Sequence, residues 1–431
     1  MSEALKGKRF SIYTLGCKVN QYESDSMEAI LKDKGALAVA FFEPSDIVII
    51  NTCAVTNMAE KKSRQIIHRA KKINPDCVCV ACGCYVQSGK EVLEKDKAVD
   101  LIVSNNRKKD IARILEEYFD GESIIDNYID INKTNEYESM MLYKPGEHTR
   151  AYVKVQDGCN NFCTYCIIPY TRGRIRSRAL DDVINELKML SLNGVKEVVV
   201  TGINLPSYKD EEGHELTDLL LEAAKIEGIK RIRMGSLEPR VITEEFLAAI
   251  SREEKICPHF HLSLQSACNA TLKRMNRKYT IEEYMERCEL IRKYYDKPAI
   301  TTDIIVGFPG ETDDEFETTY KNLEKLNLYE MHIFKYSKRK GTLAATMDNQ
   351  VAEEIKNERS DRLLEMVVRH KKAYEDLFKN TKVKILAEEY EAAKNGVFLL
   401  KGHTERYLYI EKEFDEAFCR RNINEFVEIE I

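Results

Sequence analysis

The chain has 431 residues, 43% hydrophobic and 32% charged, with a formal net charge of −6. That length suits two or three domains, and the balance is that of a globular protein rather than a disordered or membrane-embedded one. A negative total excludes whole-surface attraction to nucleic acid, so any RNA contact must come from local basic stretches. The opening MSEALKGKRF has no apolar segment, and no apolar run reaches membrane-spanning length, which predicts a cytoplasmic protein. In that compartment thirteen cysteines argue for metal rather than disulfides.

Residues 10–15 (FSIYTL) read as a short strand running into Gly16-Cys17, with an amphipathic helix over 22–33. Residues 46–51 (DIVIIN) form a β-branched run, read as a buried parallel strand, followed by Thr52-Cys53 and a helix over 59–72. A third strand over 77–81 ends at Cys82-Gly83-Cys84; a fourth covers 99–103 and a helix 107–118. This alternation predicts a small doubly wound α/β domain. The carboxyl ends of parallel strands share one edge, where ligands bind. Cys17, Cys53 and either Cys82 or Cys84 are therefore expected to converge there, whereas Cys77 and Cys79 read as core. Polar residues 121–150, with Pro145-Gly146, read as an interdomain linker.

Residues 150–155 begin a second unit as a strand, followed by QDGCNNFCTYCI over 156–167. Its cysteines, Cys159, Cys163 and Cys166, follow a C-x3-C-x2-C spacing. A structural zinc site wants four closed ligands, whereas three thiolates suit a [4Fe–4S] cluster with one iron open. Arg172, Arg174, Arg176 and Arg178 come next, either as a solvated face or as phosphate or carboxylate contacts. Strands over 197–201, 231–235, 260–264, 299–306 and 330–335 alternate with helices over 181–192, 216–225, 243–251, 281–295 and 314–326. That pattern predicts an incomplete (β/α)6 barrel with its active site at the carboxyl ends of the strands. A charged helix over 355–378 precedes short strands at 383–387, 397–401, 407–410 and 426–431, separated by Asn395-Gly396 and Gly402-His403. They read as a small OB-like β-barrel of the kind that binds looped or single-stranded nucleic acid.

With Tyr165 before its third cysteine, the loop resembles the radical S-adenosylmethionine (SAM) superfamily. There the open iron takes the amino and carboxylate groups of SAM, and an electron releases a 5′-deoxyadenosyl radical. TLGCKVNQYE (14–23), INTCAVT (50–56), GCYVQ (83–87), HLSLQS (261–266), DIIVGFPGET (303–312) and YSKRKGT (336–342) extend the likeness. Together they resemble the radical SAM methylthiotransferases over essentially the whole chain. That family has branches acting on isopentenyl-adenosine in tRNA, on a ribosomal-protein aspartate and on threonylcarbamoyladenosine in tRNA, and the opening resembles the third.

The resemblance implies an N-terminal domain over 8–120 with an auxiliary Fe–S cluster, a radical SAM core over 145–375 and an RNA-binding TRAM domain over 376–431. It implies two [4Fe–4S] clusters, on Cys159, Cys163 and Cys166 and on Cys17, Cys53 and Cys84. Cys84 is preferred to Cys82 because Gly83-Cys84-Tyr85-Val86-Gln87 matches the family's ligand. It places Tyr165 beside the SAM adenine, Gly202 and Asn204 at its methionine part, Gln265 and Ser266 at its ribose, and Val306 and Gly307 near the adenine. The implied partners are the anticodon loop of tRNA, a reductant such as flavodoxin or ferredoxin, and a sulfur donor, with no membrane. Ala267 stands where the family usually has glycine, and would be strained if the position needs positive φ. RNA contacts are expected at the basic stretch 61–72, at Lys338-Arg339-Lys340 and near Lys401, His403 and Arg406. A chain ending near Phe378 is expected to retain SAM cleavage.

Overall fold

The computed structural model describes residues 3–124, 127–143, 149–393 and 396–431. Pro145, Gly146 and Asn395, expected in turns, lie outside them.

The first unit carries β1 (Arg9–Thr14), β2 (Leu37–Ala38), β3 (Ile47–Thr52), β4 (Val78–Gly83) and β5 (Leu101–Val103) in one sheet of order β2-β1-β3-β4-β5. Every pairing is parallel. Strands β3 and β4 are buried throughout, as the β-branched runs required. Helices α1 (Lys18–Asp33) and α4 (Ile111–Phe119) cover one face, and α2 (Asn57–Ile73) and α3 (Cys84–Glu94) the other. The doubly wound expectation holds, and the strand order reverses between β1 and β3, where such sheets form a ligand crevice. Helix α1 begins four residues before its predicted start, with Cys17 as its N-cap and the Asn20 side chain bonded to the Leu15 and Thr52 carbonyls. Helix α3 was not anticipated; it opens at Cys84 itself.

The expected linker is not a free tether. Residues 127–143 pack along the first and second units, where Met140 and Leu142 are buried. The Tyr22 hydroxyl donates to the Met140 carbonyl, and Glu138 accepts from the Asn106 and Lys109 amides.

The second unit begins with β6 (Arg150–Asp157), α5 (Ile168–Thr171), β7 (Arg176–Ser177) and α6 (Leu180–Leu192). It continues with β8 (Glu197–Gly202), α7 (Leu216–Ala224), β9 (Arg231–Met234), α8 (Glu244–Ile250), β10 (His259–His261), α9 (Asn269–Arg274) and α10 (Ile281–Tyr294). Strand β11 (Ala299–Val306), α11 (Asp313–Leu326) and β12 (Glu330–Lys335) complete it. Strands β6, β8 and β9 pair in parallel, as do β10, β11 and β12, and single bridges at Ile232–Ile256 and Leu237–Leu262 join the two arcs. Six parallel strands thus form an open barrel. Strand β10 is shorter than predicted, and the chain beyond it turns at Gln265, whose φ is 72°.

Helix α12 (Glu353–Asp376) leads to a sheet of order β15-β14-β13-β16, built from β13 (Lys382–Ala392), β14 (Phe398–Thr404), β15 (Tyr409–Phe414) and β16 (Phe426–Glu430). It is antiparallel, bulged between Ala387 and Glu389, and covered by an unforeseen helix α13 (Glu416–Asn422), so the predicted small barrel is a half-barrel. Its β14–β15 turn plugs the barrel at the amino ends of the strands. Arg233 donates to the Glu405 carbonyl at 2.9 Å and Arg231 to the His403 carbonyl at 2.9 Å. The Tyr407 ring stacks on His259 with centroids 5.1 Å apart. No described helix is long and apolar enough to cross a membrane.

Candidate metal centres

Three strands of the first sheet deliver their cysteines to one edge. Cys17 follows β1 through Gly16, Cys53 follows β3 directly, and Cys84 follows β4 through Gly83. Gly83 has a φ of 89°, and a Cβ there would lie 2.4 Å from the Thr52 carbonyl oxygen, so only glycine turns the chain into α3. Cys84 lies near enough to act electrostatically on both the Cys17 and Cys53 thiols, and burial, the largest influence, pushes Cys53 up to about 11. Cys82 instead packs in the core beneath α1 and α4, and Cys77 and Cys79 in the core beneath α2.

The second set lies on the loop after β6. Gly158, at φ 73°, has room for no Cβ: one would sit 1.9 Å from the Arg174 carbonyl oxygen. Burial raises Cys159 to about 11 and Cys166 to about 12. Arg277 donates to the Cys163 sulfur at 3.2 Å. Cys159, Cys163 and Cys166 line a groove with Tyr165, Asn204 and Gln265, and Glu238 and Arg277 close its far side. In neither cysteine set do all three sulfurs lie within 4.8 Å of one another. Three thiols without a fourth protein ligand suit an iron–sulfur cube with one iron open better than a closed tetrahedral zinc site.

Of the residues expected at SAM, Tyr165, Asn204 and Gln265 line this groove, and Gly202 packs against Gln156, whose side chain also accepts the Asn204 amide at 2.7 Å. Ser266, Val306 and Gly307 are placed behind it. The Ser266 hydroxyl is buried against Thr319, the Val306 side chain enters the helix-facing core, and the Gly307 amide is held by Glu311 at 2.6 Å. Ala267 is not among the positive-φ residues; the left-handed conformation sits at Gln265, so the alanine carries no strain there.

The arginine run is neither a solvated face nor, apart from exposed Arg174, a phosphate site. Arg172 is fully buried between the first two units. Its guanidinium donates to Glu23 at 2.8 and 3.0 Å, to Asp157 at 3.1 and 3.2 Å, to Asn20 at 2.6 Å and to the Cys84 sulfur at 3.3 Å. Lys108 and Lys154 also pair with Glu23, and Arg178 pairs with Glu186. Burial raises the Glu23 carboxyl, but Arg172, Lys108 and Lys154 outweigh it and hold Glu23 well below the usual range. By the same contest Arg172, Lys154 and Arg176 hold Asp157 at about 2. One guanidinium therefore links the Cys84 site to the strand end that launches the second cysteine loop. Arg172 and Arg277 were missed as cysteine partners, because they meet their sulfurs across 88 and 114 residues of sequence.

Of the expected RNA contacts, Arg339 is buried against Asn57 and Glu60, His403 bonds Glu388, Lys401 pairs with Glu391, and Arg406 donates to the Lys297 carbonyl. By contrast, Lys61, Lys62, Arg64, Arg69 and Lys72 stand exposed along the outer face of α2. A second basic surface, a 750 Å³ cleft between the half-barrel and the barrel floor, includes Lys230, Lys255, Lys297, Lys382 and Lys384.

An open six-stranded barrel with a three-cysteine loop after its first strand defines a radical SAM enzyme, and the Radical SAM superfamily model matches residues 153–323. The model described as "Uncharacterized protein family UPF0004" matches residues 9–104. The chain is 39% identical over 404 residues to the threonylcarbamoyladenosine tRNA methylthiotransferase MtaB of Bacillus subtilis, covering 93% of this chain and 89% of that one. It is 38% identical to the MtaB of Aquifex aeolicus, covering 93% and 95%. Its identity to a tRNA-2-methylthio-N(6)-dimethylallyladenosine synthase of Acetivibrio thermocellus is 36%, covering 97% and 88%. The radical SAM methyltransferase TsrM of Kitasatospora setae shares the fold at a TM-score of 0.56 and 14% identity, over 76% of this chain and 72% of that one. The chain belongs to the methylthiotransferase family of radical SAM enzymes.

Proposed function

We propose that this protein transfers a methylthio group to C2 of N6-threonylcarbamoyladenosine, just 3′ of the anticodon in tRNA. What supports the reading most is likeness to the two MtaB proteins across nearly the whole chain. Two separate three-thiol sets joined through Arg172 are what such chemistry needs: one centre for a radical, one for sulfur. The ligands are assigned as Cys159, Cys163 and Cys166 for the first cluster and Cys17, Cys53 and Cys84 for the second. When bound, the clusters and SAM supply the electron, the 5′-deoxyadenosyl radical and the sulfur that an unreactive aromatic C–H demands.

The chain's own residues position and shield. Arg277 and Arg172 direct N–H groups at the Cys163 and Cys84 sulfurs, where a hydrogen bond offsets thiolate charge. Tyr165 stands beside the groove with Phe308 edge-on at 6.4 Å, an apolar wall that excludes water. Gln156 fixes the backbone amide of Asn204 at the groove wall. Gly202, Asn204 and Gln265 are assigned to SAM; Ser266, Val306 and Gly307 act as its support from behind.

Domains are assigned as 8–120 for the auxiliary cluster, 145–375 for the radical SAM core and 376–431 for a TRAM domain. The basic face of α2 and the cleft beside Lys382 are assigned to RNA phosphates. The protein works in the cytoplasm with a flavodoxin- or ferredoxin-like reductant and a separate sulfur donor. Reconstituted protein with SAM and dithionite is given tRNA carrying threonylcarbamoyladenosine and, separately, isopentenyl-adenosine, and the digested nucleosides are weighed. The expected product is 2-methylthio-threonylcarbamoyladenosine. Product from the isopentenyl tRNA alone would assign the chain to the other tRNA branch.

A further inference from the structure

We infer that the inner wall of the barrel, beneath the groove, holds a divalent metal ion of the zinc or iron(II) class on His261, Asp303 and His332, apart from both cysteine sets. The three residues come from neighbouring strands, β10, β11 and β12, and Asp303 stands directly opposite His332 in the parallel register. Alternation fixes the face they share. Phe260, Leu262, Ile304 and Met331, their neighbours along the chain, pack in the core under the helices. His261, Asp303 and His332 therefore point the other way, into the barrel. Two residues beyond His261 on that face, Ser263 lines the groove with the cysteine loop, and two beyond Asp303, Ile305 packs with Tyr165 and Phe308. Two residues before His261, His259 stacks on Tyr407 of the plug. The triad thus lies one layer, about 7 Å of strand, below the groove and one layer above the floor.

One ligand atom from each residue lies within 4.8 Å of the other two, the one such group of three among the described residues. The His261 Nε2 and a carboxylate oxygen of Asp303 are 3.4 Å apart without forming a hydrogen bond. Two ligands of a tetrahedral zinc, each about 2.0–2.1 Å from the ion, stand about 3.4 Å apart, so this pair already spans one edge of such a shell. The Thr301 hydroxyl engages the other ring nitrogen, Nδ1, at 2.9 Å. That is the outer bond that orients a metal-binding imidazole and leaves Nε2 to the ion. The His332 ring faces the His261 ring with centroids 5.9 Å apart. Neither it nor the Asp303 carboxylate makes a hydrogen bond among the described residues. His332 is exposed, so a turn of its side chain closes the remaining distance.

The donor set selects the ion. Two imidazoles and one carboxylate suit zinc or iron(II), whereas magnesium and calcium favour oxygen alone and copper(I) favours sulfur. Three protein ligands leave at least one position of the ion open. It opens on the barrel interior, to water or to an oxygen of a bound substrate. No thiol takes part, so this centre is distinct in chemistry as well as in place from the two cysteine sets.

The test loads anaerobic holoenzyme, its iron–sulfur clusters in place, with zinc and then desalts it. About one zinc per chain should remain. X-ray absorption at the zinc edge, which does not see the iron, should show nitrogen and oxygen neighbours at about 2.0–2.2 Å and no sulfur at about 2.3 Å. Zinc affinity, read by competition with a coloured chelator, should fall about a hundredfold or more in Asp303→Asn and in His332→Ala. Thr301→Val, which removes only the outer bond, should cost about tenfold. Unchanged acid-labile sulfide in each variant shows that the cluster-bearing fold is intact. Iron exceeding sulfide by about one per chain before loading, and lost in the same variants, supports the inference equally. The spectrum is taken on the native chain, so the result does not depend on a variant folding. Zinc held through sulfur, affinity unchanged in both Asp303→Asn and His332→Ala, or no retained ion overturns the inference, and each of these results leaves the proposed function standing.

Discussion

Replacing Arg172 by methionine tests whether the two metal centres are held in one frame. The side chain serves two carboxylates, an amide oxygen and a thiol, with no water-exposed surface. Breaking a buried ion pair costs about 3–5 kcal/mol. Two such pairs are lost, but Glu23 keeps Lys108 and Lys154, and Asp157 keeps Lys154 and Arg176, so the cost falls at the lower end, about 3 kcal/mol. The Cys84 sulfur loses its charged donor at the same time. Urea unfolding followed by far-ultraviolet circular dichroism should show an earlier midpoint. Iron analysis of anaerobic protein should fall from about eight towards about four per chain, as the auxiliary site empties. Arg172→Lys restores charge without the planar fork, so it should recover only part of either loss. A methionine variant within about 1 kcal/mol of the parent, with full iron, would refute the reasoning.

Gly158→Ala should abolish SAM cleavage and leave only the auxiliary iron, since its Cβ has no room beside Arg174; unchanged 5′-deoxyadenosine yield would contradict this. Ending the chain at Phe378 strips Arg231 and Arg233 of the His403, Thr404 and Glu405 carbonyls, so the truncated protein should melt well below the full chain by calorimetry. That reverses the expectation that the C-terminal unit is separable from the catalytic barrel, and equal melting temperatures would reinstate it. Folding depresses the carboxyls of Glu23 and Asp157, so their stabilisation is full above the unfolded values of about 4 and is lost as pH falls through the folded values, about 2 for Asp157. Arg172→Met should flatten that acid loss; an identical pH dependence in urea midpoints would show that the guanidinium is not its cause.

The cysteine framework was legible because strand ends announce themselves. The runs before Cys17, Cys53 and Cys159 are β-branched or aromatic, and parallel strands bring their carboxyl ends to one side. Cys84 was legible from the residues around it, and the packing of Cys82 on the opposite face agrees. For Ser266, Val306 and Gly307 a motif marks a strand end without saying which way each side chain points. Glu311 and Thr319, which engage Gly307 and Ser266, come from the next helix and its approach. Arg172 read either as part of a solvated face or as a phosphate or carboxylate contact; carboxylates proved to be its partners, but which ones was not legible, because Glu23 and Asn20 lie about 150 positions earlier. Tertiary charge pairing leaves no periodicity to find.

The charge-paired seam between the first two units has a kinetic consequence. Swinging the units apart would carry Glu23, Lys108, Lys154, Asp157 and Arg172 out of their mutual contacts together, all or none, because each holds the next. A hinge locked by so many linked partners opens rarely on the timescale of turnover. The gap between the two cysteine sets is then a constant of the molecule, not a variable of the catalytic cycle. Motion is left to the RNA, whose modified nucleotide must unstack from its loop and travel to a gap that does not widen to meet it.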